Sequence, residues 1–160
     1  MKSILALLTA GLRRLTELCM AVLALLTLAD VLGRYVFNVS VIGSVELTEI
    51  LMVGVIFCGI VLATMERAHV VVDLVPLPFG ESGARVANAA THLLAAGISA
   101  LLAVVSWSQA ESAREYGDQT TMLGLPLAPV VYFMSIMLFI NTAVQLGLLR
   151  QDLRKETTND

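Results

Sequence analysis

The chain has 160 residues, 58% of them hydrophobic and 14% charged, with a formal net charge of −3. A mean hydropathy of +0.84 is more apolar material than the core of a water-soluble domain of this length can absorb, so an ordinary soluble domain is excluded. The acidic balance, with no basic patch beyond short flanks, gives no support to a nucleic-acid partner.

Four apolar runs, at about 15–34, 45–65, 86–110 and 125–149, are each long enough to cross roughly 30 Å of hydrocarbon as a helix, some with tilt. The connections are too short for a folded domain outside the bilayer. The expectation is a single all-α membrane domain over 1–160 with four transmembrane helices and a polar tail at 151–160. Basic residues orient it, because cytoplasmic flanks retain Lys and Arg during insertion. Lys2, Arg13, Arg14, Arg67, Arg85, Arg150, Arg154 and Lys155 fall on one side, and only Arg34 and Arg114 on the other. Both termini are therefore expected in the cytoplasm, with the 35–44 and 111–124 connections outside.

In chain order, the N-terminus also fits a cleaved signal peptide, with Lys2 before a short apolar run. No small-x-small cleavage site follows before Asp30, so a retained helix is preferred. Residues 3–14 either extend that helix or lie along the inner interface, with Ile4, Leu7, Leu8, Leu12 and Leu15 on one stripe. Glu17 is spaced to meet Arg13 and Arg14, and Asp30 to meet Arg34.

The second run opens on Glu46 and Glu49 and closes on Glu66, Arg67, His69 and Asp73. Carboxylates in a membrane span are functional suspects. With Asp30 and Arg34 they are expected to converge at the outer mouth. One reading is an entry site for a coupling cation or substrate. The preferred one has Glu46 and Glu49 favoured by the start of a helix, with Arg34 neutralising the cluster and fixing the first hairpin. Gly59 and Ala63 would permit close helix packing. Beyond the span, HVVVDLVPLPF cannot continue a straight helix and suits an inner-surface turn shaped by His69 and Asp73.

The third run carries Asn88, His92, Ala95, Ser99, Ala103, Ser106 and Ala110 at intervals of three and four, a small and polar stripe built for contact with another helix. Trp107 is expected near the outer interface. The fourth follows Pro126 and Pro129, which a first helical turn tolerates, and carries Ser135, Asn141, Thr142 and Gln145. If these two helices are antiparallel, Asn88 should face Gln145 and His92 should face Asn141, forming an interhelical polar cluster. A proton relay at His92 is the functional alternative, and a structural histidine is preferred because no carboxylate lies at that depth on either helix. The 111–124 connection, with three acids and one base, is either a docking surface or a solvated loop.

No CxxC, P-loop, GxSxG or HExxH motif is present, and Cys19 and Cys58 fall inside spans, where packing is their expected role. Neither catalysis, a cofactor nor a metal is indicated. A self-contained membrane redox protein using His69 and His92, and a homo-oligomeric exporter, remain as other classes.

Gly33-Arg34-Tyr35-Val36-Phe37-Asn38, Ser40, Glu46, Glu49, Phe57-Cys58-Gly59, and His69 with Asp73 resemble the small membrane subunit of tripartite ATP-independent periplasmic (TRAP) transporters, the DctQ-like family. Gly43 and Ser44 stand where many members carry tryptophan. The resemblance covers nearly the whole chain and implies a place in the bacterial inner membrane. It implies two protein partners: a soluble periplasmic substrate-binding protein that captures an organic acid such as a dicarboxylate or sialic acid, and a large polytopic membrane subunit. The large subunit would carry the substrate and sodium sites and move substrate by an elevator-like displacement, with the small subunit enlarging its stationary scaffold.

Overall fold

A computed structural model describes the backbone of residues 2–66 and 81–156 and the side chains of residues 7–66 and 89–150. Four helices follow one another: α1 (Lys2–Phe37), α2 (Ser44–Met65), α3 (Glu81–Tyr116) and α4 (Ala128–Glu156). Each contains a stretch long and apolar enough to cross a membrane. The fold is therefore an all-α membrane architecture, as composition and run length demanded.

Helix ends are set by identifiable backbone chemistry. α1 stops where Asn38 takes a left-handed φ of 51° and the Val39 N–H returns to the Gly33 carbonyl at 3.1 Å, a bond that closes the last turn. Gly43, with φ 74°, leads into α2. Gly117, with φ 67°, ends α3, and the Asp118 N–H bonds the Ala113 carbonyl at 2.9 Å. Pro129 sits in the first turn of α4, where a missing N–H costs nothing.

The helices outrun the apolar stretches. α1 is continuous from Lys2, so residues 3–14 extend the first helix rather than forming a separate interfacial piece. α3 passes 110 and ends at Tyr116, and α4 runs through the start of the expected tail to Glu156. Nothing in QDLRKE breaks a helix, and its residues are mostly good helix formers. Hydropathy marks where burial in lipid ends, whereas the backbone hydrogen-bond ladder ends only at a breaker.

Among the described residues, α1 touches only α2, α2 touches α4, and α4 touches α3. The spatial order is α1–α2–α4–α3, a layer one helix thick with α1 and α3 at its edges. Leu12, Cys58 and Val61 form the contact nearest α1, joined by Leu62, Met65, Phe133, Met137 and Ile140. The α3–α4 seam is made of small groups: Ala96, Ser99, Ala103, Ala110 and Ala113 are buried against Ala128, Ser135 and Leu138. Small side chains let the two backbones approach closely, which replaces the hydrophobic drive that lipid cannot supply. Trp107 lies edge-on to Tyr132 and Phe139, with ring centroids 5.1 and 6.4 Å away, and adds aromatic contacts to this seam.

Candidate functional site

Two carboxylates hold the loops at one end of the helices, each by a different hairpin. Asp30 pairs with Arg34 at 2.9 Å along α1, accepts the Val41 N–H at 2.9 Å, and has the Ser44 hydroxyl as a further donor. Its neighbour Gly33 is pressed by the returning chain: a Cβ there would sit 2.7 Å from the Val39 carbonyl oxygen. The GRYVFN segment is thus a helix stop in which glycine makes room, asparagine supplies the left-handed turn, and Asp30 gathers the freed donors.

Glu46 faces the other way. Its two oxygens accept the Met122 and Leu123 N–H groups at 2.6 and 2.9 Å, tying the start of α2 to the α3–α4 connection. Leu123 in turn packs on Gly43, where a Cβ would meet its side chain at 2.5 Å. That connection is a short closed turn: Thr120 N–H bonds Leu125 O at 2.9 Å, Leu127 N–H bonds Asp118 O at 3.0 Å, and Gly124 takes a φ of 63°. Its residues 116–124 are nevertheless exposed, apart from the half-buried Thr120.

Asp30, Arg34, Glu46 and Glu49 therefore do not converge on one cluster. Asp30 and Arg34 serve the first hairpin, Glu46 serves the second, and Glu49 is exposed with no hydrogen bond or ion pair among the described residues. Three residues along a helix leave about 60° between side chains. That rotation turns Glu46 over the α4 side and Glu49 outward.

At the other end Arg13 crosses to pair with Glu66, so α1 and α2 are tied there too, and Glu17 keeps Arg14 alone at 3.1 Å. Thr9 donates to the Met65 sulfur at 3.4 Å. The inner-turn residues His69 and Asp73 lie outside the described residues.

Between these ends runs a buried polar chain. Thr64 donates to Asn141 Oδ1 at 2.8 Å, and Asn141 Nδ2 donates to the Ser99 hydroxyl at 2.8 Å, so one amide on α4 links α2 to α3. Ser135 donates to the Ala103 carbonyl at 2.7 Å, and His92 Nδ1 donates to Gln145 Oε1 at 2.8 Å. Among the described residues every buried side-chain nitrogen or oxygen has a partner. Expectation and structure differ in register. Asn141 meets Ser99 rather than His92, two turns further along α3, and Gln145 meets His92. The continuation of α3 to Tyr116 displaces the turn and shifts this pairing. The side chain of Asn88 lies outside the described residues.

The packing glycine also differs. A Cβ on Gly59 would meet nothing within 4 Å, so Gly59 makes no close helix contact among the described residues, whereas one on Gly54 would lie 3.3 Å from the Cys19 sulfur on α1. Ala63 is half-buried and Ser99 is buried in the α3–α4 seam. The Arg13–Glu66 tie, the grip of Glu46 on residues 122 and 123, and the Thr64 link were not anticipated. Only the shared depth of Arg13 and Glu66 at the inner ends of their spans could have signalled one of them.

A shallow hollow beside the α3–α4 connection, lined by Arg114, Asp118, Pro126, Pro129 and Tyr132, is mostly apolar. Among the described residues no three His, Cys, Asp or Glu side chains gather to hold a metal. No curated protein and no solved structure matches the chain. The family model described as tripartite ATP-independent periplasmic transporters, DctQ component, matches residues 23–155. With four membrane-length helices, and the GRYVFN stop, Glu46 and Glu49 inside the matched stretch, the chain belongs to the DctQ component family of these transporters.

Proposed function

We propose that this chain is the stationary helper of its transporter: it enlarges the scaffold of a large polytopic subunit that moves a small organic acid, and carries none itself. The substrate class is an organic anion such as a dicarboxylate or sialic acid, delivered by a periplasmic binding protein and driven by an ion gradient, with sodium as the coupling ion. Both termini lie in the cytoplasm, and the membrane is the bacterial inner membrane.

The observation that carries this reading is the closed interior. Buried polar groups on α2, α3 and α4 are used up on one another, whereas a carrier leaves polar or charged groups at mid-membrane facing a cavity. The helices present long apolar exteriors instead, including Leu18, Leu25 and Leu28 on α1 and Leu101 and Val105 on α3.

Reconstitution in proteoliposomes tests it. With the large subunit, the binding protein and an inward sodium gradient, uptake of labelled substrate should require this chain, and the chain alone should transport nothing. Uptake by the chain alone would overturn the helper role.

A further inference from the structure

We propose that the outward face of α2 seats a transmembrane helix of the large membrane subunit, and that this helix presents a lysine or arginine to Glu49. The inference rests on the helper reading above and names the surface it uses.

Val45, Glu49, Met52, Ile56, Gly59 and Ala63 fall within about 80° on α2. The opposite side of the helix is spent, because Ser44, Cys58 and Val61 are buried towards the neighbouring helices. On the outward face Val45, Met52 and Ile56 are exposed, and the space before Gly59 is open for 4 Å. A glycine and an alanine one turn apart with nothing against the glycine leave a notch that admits another helix backbone.

Apolarity alone would suit lipid equally well, and Glu49 decides between them. Among the described residues it is exposed without a partner, while Glu17, Asp30, Glu46 and Glu66 on the same two helices or at their ends each have a donor. It sits five residues into a helix of 22, about 7.5 Å from its outer end at 1.5 Å per residue. α2 is about 33 Å long against roughly 30 Å of hydrocarbon, so there is little spare length to lift the carboxylate into water. An ionised carboxylate facing acyl chains is costly, and such groups face protein and find a counter-charge. A second copy docked through the same face in the same membrane orientation would set Glu49 against Glu49, which repels. Charge complementarity therefore selects a cationic helix from a different protein.

The test is made on the complex of this chain with the large subunit. A photo-crosslinking residue at 52 or 56 should give adducts with the large subunit, and one at 101 or 105 on the exposed edge of α3 should not. Glu49→Lys and, separately, Gly59→Leu should lower the copurified large subunit at least tenfold while this chain stays at parental level in the membrane. Gly97→Leu, also facing open space, should change nothing. A Lys→Glu or Arg→Glu change on the crosslinked helix should restore assembly with Glu49→Lys. If the parent chain copurifies with the large subunit but 52 and 56 crosslink only to lipid or to a second copy, the surface is wrong and the helper role stands. If the parent does not copurify at all, the helper role fails and this inference falls with it.

Discussion

Asn141 is the residue on which three helices depend, and replacing it by alanine tests the buried chain directly. Asn141→Ala removes the bond from Thr64 on α2 and the bond to Ser99 on α3, both 2.8 Å, from a side chain that is 4% exposed. An interhelical hydrogen bond in a membrane protein contributes about 0.6 kcal/mol on average and about 1.7 at most. Two bonds give about 1–3 kcal/mol, and the lower half applies because the Thr64 hydroxyl keeps the Ile60 carbonyl at 3.0 Å. The Ser99 hydroxyl can also turn to a carbonyl of its own helix. We expect a loss of about 1–2 kcal/mol, or roughly tenfold in the unfolding equilibrium. Unfolding in mixed micelles can be followed by the single tryptophan, Trp107, whose ring on α3 lies 5.1 Å from Tyr132 on α4. The void left by alanine adds to the single-mutant value, so the decisive quantity is the double-mutant cycle with the near-isosteric Thr64→Val. A coupling of about 0.6 kcal/mol is expected. A coupling indistinguishable from zero would refute the claim that this amide ties α2 to the α3–α4 pair.

Gly43→Ala places a Cβ at φ 74° and 2.5–2.8 Å from three atoms of Leu123. The backbone alone costs about 1–2 kcal/mol, and adding Leu123→Ala should recover only the steric part in the same unfolding assay. Glu46→Ala should free the Met122 and Leu123 amides. Their hydrogen exchange should then accelerate while that of residues 99–105 stays unchanged, and unaltered exchange at 122 and 123 would show that the carboxylate does not hold the turn. His92→Ala removes the bond to Gln145 and should leave uptake by the assembled transporter intact. Loss of uptake with normal abundance and assembly would instead make His92 part of the transport chemistry. Cysteine placed at 122 should react with an impermeant thiol reagent from the periplasmic side of intact cells and cysteine at 150 should not, and the reverse pattern would invert the proposed orientation.

Several features were readable one residue after another. The stripe on the third span surfaced as the α3–α4 seam, with Ser99, Ala103 and Ala110 buried, because small residues at helical spacing announce a contact whatever the partner. The Asp30–Arg34 pair follows from a four-residue spacing on one helix. The partners of Glu46, Arg13 and Asn141 lie in other segments of the chain, 76, 53 and 42 positions away, and depth counted from span ends erred because α3 runs on to Tyr116. Gly59 illustrates the same limit. Its spacing with Ala63 identified a packing notch, yet nothing local could say that the described chain leaves that notch open.

By itself the sequence determined four membrane-length helices, their polar ends and the small-residue seam, since run length, charge and spacing are properties of each segment alone. Tertiary structure decided the order α1–α2–α4–α3, the register of the polar chain, and the isolation of Glu49. In water an amphipathic stripe would have told which side faces the core. In lipid the exposed side of a helix is apolar, and the buried sides of α2 and α4 mix apolar residues with Thr64, Ser135, Asn141 and Gln145, so rotation about the helix axis is set by interhelical contacts and becomes visible only once the helices are packed.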